Sequence, residues 1–483
     1  MALRKREQSS ILKRLAGNTA SLSATQVGRV VINTLIAILV SRMLGVEGFG
    51  KYGVLIAYLN IFQVLVRGGM PRLTIREIAR HADRAQEWFR WALLGQVLSA
   101  VVVSVGLLAT ANMLNHPQDT KLALGVISLS LIPHAISSAA ESVFQAQERM
   151  EFIALAQLGA QTAQLLSSVV VLLLGYRIVA LAWVLVGGQC LMAFIEGVVI
   201  GRMGLWNGFR FDWKGSLHAL KMSWDFFLMS VSVTVFNRLD VLILSQLVGE
   251  TGVGVYNAAY LVVRVVNFVS ISYSHSVYPV LSRFFGESSA RFKLLLHKSL
   301  SLGVTGLLLP AAVISVMADV LVRILYRGDG YSLSATLLRI ESPFIVIYLW
   351  NALLASGLMS SNRQRRSVIV SGVKMTAGFV YYLLLTEQLG VVGTAWATVL
   401  AGLTGAVLNY LFVNREVCRL DPVSSIGKPL VIGGLLAVTV LMTGGLSWPM
   451  SLGIVALVYL VSVLSLRLVS RDDLHLLHEI LRP

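Results

Sequence analysis

The chain has 483 residues, 56% of them hydrophobic and only 13% charged, with a mean hydropathy of +0.75. Soluble domains carry about 25% charged residues, so this composition excludes an ordinary soluble globule. The net charge of +16 does not indicate nucleic acid, because the cytoplasmic loops of membrane proteins collect Lys and Arg.

Apolar runs of about 20 residues, each the length of a membrane-spanning helix, recur along almost the whole chain. A β-barrel would show short alternating segments instead. The predicted fold is an all-α polytopic membrane protein of about fourteen spans. The basic start, "MALRKREQSSILKRLAG", precedes no small-residue cleavage site, so the first apolar run is taken as a retained span. In chain order the spans are 21–44, 53–69, 91–114, 122–146, 153–175, 178–201, 224–248, 255–280, 299–325, 337–361, 367–386, 391–413, 429–445 and 448–467. The connections at 175–178 and 445–448 are tight enough for fusion or re-entry. Pro133, Pro310 and Pro343 fall inside spans, where they can kink a helix.

Charge orients the layout. With a cytoplasmic N-terminus, 29 of the 40 Lys and Arg fall in inside segments, six outside and five within spans. That bias obeys the positive-inside rule and places both termini in the cytoplasm. The segment 326–336, with three flanking arginines, fits least well. Cys190 and Cys418 are the only cysteines, too few for a disulfide framework or a cysteine metal cluster. No metal and no cofactor are expected.

The chain repeats a short pattern. "GVEGFGKYG" (Gly45–Gly53) and "GETGVGVYN" (Gly249–Asn257) both read G-x-x-G-x-G-x-Y, and both sit between two spans on the outer side. "MPRL" at Met70–Leu73 corresponds to "YPVL" at Tyr278–Leu281, "QERME" at Gln147–Glu151 to "NRQRR" at Asn362–Arg366, and "ALAWV" at Ala180–Val184 to "GTAWA" at Gly393–Ala397. Four matches in one order indicate two six-helix halves. Six is even, so the halves run parallel, related by an axis along the membrane normal. The expected layout is a tail at 1–20, an N-lobe at 21–201, a linker at 202–223, a C-lobe at 224–413, two extra helices at 429–467 and a tail at 468–483. Transporters built this way bind substrate between their halves.

"SRMLGVEGFGKYGVLIAYLNIFQ" (Ser41–Gln63) and "NRLDVLILSQLVGETGVGVYNAAYLVVRVVN" (Asn237–Asn267) resemble the polysaccharide-transporter branch of the MOP flippase superfamily. "YPVLSRF" and "GVVGTAWATV" fit the same pattern. The resemblance covers most of the chain and is weakest after about residue 415. It implies a V-shaped pair of six-helix lobes around a cationic cavity. That cavity would receive the diphosphate-linked sugar head group of a polyprenyl lipid while the tail stays in the bilayer. Implied partners are the polyprenyl-diphosphate-linked glycan, membrane lipids, H⁺ or Na⁺ for coupling, and a glycan polymerase and glycosyltransferases of the same pathway. The implied location is the cytoplasmic (inner) membrane.

A charged side chain at bilayer depth costs about 2.5–3.5 kcal/mol on insertion scales, so each one faces protein or water. Guanidinium forks suit phosphate oxygens, and Arg29, Arg238 and Arg264, with Lys374, are the candidate head-group ligands. Arg29 lies in the inner third of the first span. Thr234, Arg238 and Ser245 fall on one helical face of the seventh. Purely structural roles compete: Arg238 could pair with an acid on a neighbouring helix, and Arg29 and Arg264 could snorkel. Glu141 and Asp240 are the candidates for a coupling ion or for partnering an arginine. Glu196 and Asp225 are placed at the inner interface. His134 and His275 could titrate, though a lone histidine on a helix is more often a packing residue.

Three functional classes compete: a lipid-linked oligosaccharide flippase, an ion-coupled multidrug antiporter of the same superfamily, and a membrane polymerase or ligase. No Walker loop or catalytic constellation is present, and the longest loop, near 203–223, is short for an enzyme. The basic membrane residues and two extra C-terminal spans favour the flippase.

Overall fold

A computed structural model describes residues 2–207, 211–420 and 427–466, with side chains from Thr25 onward apart from Asp329. The expected tail at 468–483 and the last residue of the fourteenth span lie outside the described residues. Among the described residues all regular structure is helical. The chain divides into two compact units, Met1–Gly254 and Val255–Pro483.

The first unit holds α1 (Ala2–Arg67), α2 (Met70–Arg80), α3 (Ala85–Met113), α4 (Gln118–Ser128), α5 (Leu131–Ala146), α6 (Met150–Leu173), α7 (Ile178–Arg202), α8 (Trp213–Met222), α9 (Trp224–Phe236) and α10 (Leu239–Leu247). Helix α11 (Glu250–Glu287) begins there and continues into the second unit. That unit adds α12 (Ser289–Val316), α13 (Ala318–Leu325), α14 (Ser332–Ser360), α15 (Gln364–Glu416), α16 (Lys428–Met442) and α17 (Trp448–Ser465). Pro310 and Pro343 lie inside α12 and α14. Pro133 sits in the first turn of α5, just past a 40° bend between α4 and α5.

Two of these helices are hairpins. At 1.5 Å per residue, a straight α15 would be about 80 Å long. Yet Glu416 at its end pairs with Arg366 at 2.7 Å and with Arg363, the residue just before its start, at 3.3 Å. Thr386 and Thr394 are also bonded across the fold at 2.9 Å. The chain reverses at Gly390, whose φ of 59° and ψ of −136° suit glycine alone. Gly45 breaks α1 in the same way, at φ 68° and ψ −171°, and Arg29 and Arg67, on either side of it, interact with each other.

By length and composition, nine described helices can cross a membrane, or eleven if each bent pair is one span. The expected fourteen exceeds eleven by three. Two of the three are the second arms of the hairpins. The third is α16, whose 15 residues rise about 22 Å, short of a ~30 Å hydrocarbon core.

The rhyming turns share their backbone. Each copy of G-x-x-G-x-G-x-Y opens on a glycine at positive φ, Gly45 at 68° and Gly249 at 92°. The two non-glycine residues at positive φ among the described residues are Glu148 (57°) and Asn362 (59°), one in each of the loops matched above. Each ends its helix with the same bond one residue later: Arg149 N–H to the Phe144 carbonyl at 2.8 Å, and Arg363 N–H to the Leu358 carbonyl at 2.9 Å. These are Schellman-type caps, which need a left-handed residue.

The two glycine turns also meet. A side chain at Gly50 would overlap the backbone of Glu250 and Gly254, and one at Gly254 would overlap that of Val46 and Gly50. Beside them lies a buried polar cluster. The His116 ring is 3.5 Å from the Glu250 carboxylate through Nδ1. Its Nε2 meets the Tyr58 hydroxyl at 3.2 Å and the Gln246 amide at 3.1 Å. Lys51 pairs with Glu47 at 2.7 Å and with Asp119 at 2.6 Å.

Between α7 and α9, within the expected linker 202–223, α8 is capped by Asp212, which accepts from the Gly215 N–H at 3.0 Å. The Trp91 indole of α3 donates to the same carboxylate at 2.7 Å. These donors, the Gly215 amide first, hold the Asp212 carboxyl below the usual carboxylate range. A lowered folded-state pKa means that the contact is fully present above about pH 4 and is lost as pH falls through the lowered value. Acid titration of tryptophan fluorescence in detergent should therefore show a transition below pH 4 that is missing in Asp212→Asn. An identical titration in both proteins would exclude the contact.

Candidate substrate site

The first unit concentrates its polar side chains on four apolar helices. Arg29, half-buried on α1, donates from Nη1 to Gln157 Oε1 of α6 at 3.2 Å. Gln157 then donates from Nε2 to Glu141 Oε1 of α5 at 2.6 Å. Arg67 closes the other arm of the α1 hairpin. It is exposed, and it feels both the attraction of Glu141 and the repulsion of Arg29. Its Nε donates to His134 Nε2 at 3.1 Å. Because that nitrogen accepts, His134 is neutral and carries its proton on Nδ1, which meets Gln189 Oε1 of α7 at 3.3 Å. The α1 hairpin is what allows this: folding at Gly45 returns Arg67 to the level of Arg29.

Glu196 of α7 completes the group. It is fully buried, lies beside Ser137 and within reach of the Glu141 charge, and neither of its oxygens has a hydrogen-bond partner among the described residues. Glu196 lies in the last two turns of α7, and it is buried rather than solvated as an interfacial carboxylate would be. The apolar run that ends near Glu196 turns its last polar residue inward against α5.

The other sequence-predicted residues are distributed as follows. Arg238 precedes α10 at φ −130°, where the seventh span is interrupted between Phe236 and Leu239. The predicted stripe Thr234–Arg238–Ser245 assumed one unbroken helix, and that break removes it. Asp240, buried in the first turn of α10, accepts from the Val241 N–H at 2.7 Å. Arg264 and Lys374 belong to the second unit. Arg264 lies exposed on α11, and its charge reaches Tyr326. Lys374 lies on the first arm of α15, and its stem runs over Gly405 of the second arm, where a Cβ would crowd it at 3.1 Å. Nearby, Asn351 donates to the Gly402 carbonyl at 2.9 Å and accepts from Asn409 at 3.1 Å.

Arg67 escaped the sequence reading because it stands at the end of the second apolar run, beside Gly68–Gly69, where a basic residue is ordinarily solvated. The available signal was the set of amides in apolar runs, Gln157 and Gln189, since a buried amide in a membrane helix needs a polar partner.

Helices of this arrangement, long and apolar enough to cross a membrane many times, define a polytopic α-helical membrane protein. The family described as polysaccharide biosynthesis protein matches residues 15–285, more than half of the chain, and a second family, MatE, matches residues 226–384. The chain belongs to the polysaccharide biosynthesis protein family, in the polysaccharide-transporter branch of the MOP superfamily. A Haloferax volcanii protein named as a probable flippase, AglR, is 24% identical over 51% of this chain, and the match spans only 49% of that protein. A Shigella dysenteriae protein that carries the name of an O-antigen transporter is 23% identical over 78% of this chain and 93% of its own length. In fold, the chain is similar to the lipid II flippase MurJ in an inward closed conformation. That match has a TM-score of 0.75 and 14% identity, and covers 92% of this chain and 98% of that one. These relatives are named as transporters and not as enzymes, in agreement with the transporter expected from the sequence.

Proposed function

We propose that the chain is a flippase that moves a polyprenyl-diphosphate-linked oligosaccharide, a polysaccharide repeat unit, from the inner to the outer leaflet of the cytoplasmic membrane by alternating access. The observation that carries this is the set of cations within apolar segments of a polysaccharide biosynthesis family member. Arg29, Arg238, Arg264 and Lys374 supply the positive charge that a diphosphate requires. The lobes 21–201 and 224–413, with 429–467 added, are the moving parts. Their repeat is supported by the paired left-handed turns at Gly45 and Gly249 and at Glu148 and Asn362. The 29-to-6 charge bias supports cytoplasmic termini. H⁺ or Na⁺ drives the cycle, with Glu141 or Asp240 as the coupling group, and glycosyltransferases and a polymerase of the same pathway supply and consume the glycan.

The test is translocation of a lipid-linked oligosaccharide in proteoliposomes. Wild type should flip it, and Arg238→Ala and Arg264→Ala should each lower the rate at least tenfold while eluting as folded protein. Retained flipping in both variants would return those arginines to structural roles. No flipping by wild type, with efflux of organic cations against an ion gradient, would replace this reading with the multidrug antiporter, a class consistent with the MatE match.

A further inference from the structure

Helix α8 is fixed to the first unit along one face and at both ends. Its buried residues are Ser216 and Ala219, and it packs against α3. A side chain at Gly215 would overlap the Trp91 indole, the ring that donates to Asp212. At the far end the Ser223 hydroxyl donates to the Gly68 carbonyl at 2.7 Å, and a side chain at Gly69 would overlap the backbone of Ser223 and Phe227. The axis of α8 is bent 59° from that of α9, so α8 runs obliquely to the span that follows it.

The opposite half of α8 is exposed and sorted by chemistry. With 3.6 residues per turn, Trp213 and Leu217 share one flank, and Lys214, His218 and Lys221 share the next. All five are exposed. Aromatic rings extend the first flank at both ends. Phe211, 72% exposed, stacks on Trp213, 44% exposed, with nearly parallel rings 6.3 Å apart, and Trp224, 56% exposed, opens α9. Among the described residues neither lysine is paired with an acid. Of the two acids that flank the helix, Asp212 is engaged by Gly215 and Trp91, and Asp225 lies beyond the bend. A ring-bearing flank joined to a lysine flank suits neither bulk water nor hydrocarbon; it suits the boundary between them.

We infer that α8 lies in the membrane surface at this end of the spans and binds the head groups of anionic phospholipids, with Phe211 and Trp213 at head-group level and Lys214 and Lys221 against the phosphates. This goes beyond the flippase reading and does not depend on it. Indole rings settle at head-group depth, and each lysine facing an anionic surface is worth about fivefold in affinity. Because α8 is already pinned to α3 and to the Gly68–Gly69 turn, binding does not have to order it.

The test reconstitutes the full-length protein in phosphatidylcholine bilayers that contain rising fractions of a lipid with brominated acyl chains, which quenches indole fluorescence on contact. The brominated lipid is phosphatidylglycerol in one series and phosphatidylcholine in the other. The difference between wild type and Trp213→Phe isolates the one indole. Its half-quenching should need a mole fraction of phosphatidylglycerol at least fivefold lower than of phosphatidylcholine, and salt at about 1 M should narrow that gap. Lys214→Gln/Lys221→Gln should close the gap, and Lys214→Arg/Lys221→Arg, which keeps the charge, should retain it. Equal half-quenching by the two lipids in wild type, or a gap that the glutamine variant keeps, overturns the inference. So does a gap abolished by millimolar glycerol 3-phosphate, which would mark a site for a small free anion. An indole that neither lipid quenches overturns it too, and would leave this face to a protein partner.

Discussion

Replacing Gly50 by valine is expected to lower thermal stability more than any other single change considered for the glycine turns. The new side chain meets the backbone of Glu250 and Gly254, and backbone cannot rotate away as a side chain can. Ordinary overpacking costs about 1–3 kcal/mol, and a clash with main chain on both neighbours exceeds that. Gly45→Ala is the milder companion. It meets no neighbouring atom but sits at φ 68°, a region that costs a non-glycine residue about 1–3 kcal/mol. Gly106→Ala, whose nearest neighbour is 3.9 Å away, should be silent. Thermal unfolding of the three variants in detergent should rank them in that order. A Gly50→Val protein that melts with wild type would mean that the two turns do not touch.

His116→Leu should be nearly as severe, for an electrostatic reason. The His116 side chain has no exposure and Glu250 only 5%, so removing the ring leaves a carboxylate away from water beside an apolar side chain. Leaving a buried polar group without its partner costs about 1–3 kcal/mol, more where the group is charged, whereas replacing both partners with apolar groups can be nearly neutral. The double variant His116→Leu/Glu250→Leu is therefore expected to recover much of what the single loses, measured by the same unfolding assay. Simple addition of the two single losses would show that the residues act independently and that the pair is incidental.

The fold was largely legible because membrane helices advertise themselves by length. The first hairpin was legible too, since the G-x-x-G-x-G-x-Y run marks where α1 must turn. Its partner at Gly390 carries less glycine around it but lies between two apolar runs that were read separately. The interruption at Asn237–Arg238 was hidden, because neither glycine nor proline marks it. The site was legible in kind but incomplete in membership. Arg29 and Glu141 stand out as charges in apolar runs, yet nothing in their spacing of more than a hundred residues says that Gln157 links them. Arg67 and Glu196 lie at the ends of runs, where solvation is the ordinary expectation, and only the return of the α1 hairpin and the approach of α7 to α5 bring them inward. Arg238, Arg264 and Lys374 were found by the same rule as Arg29, and they sit in the break before α10, on α11 and on α15.

The seam between Gly50 and Gly254 is made of main chain on both sides. At these two positions closeness is set by the lack of a side chain on either glycine, so any other residue at either one would hold the turns apart.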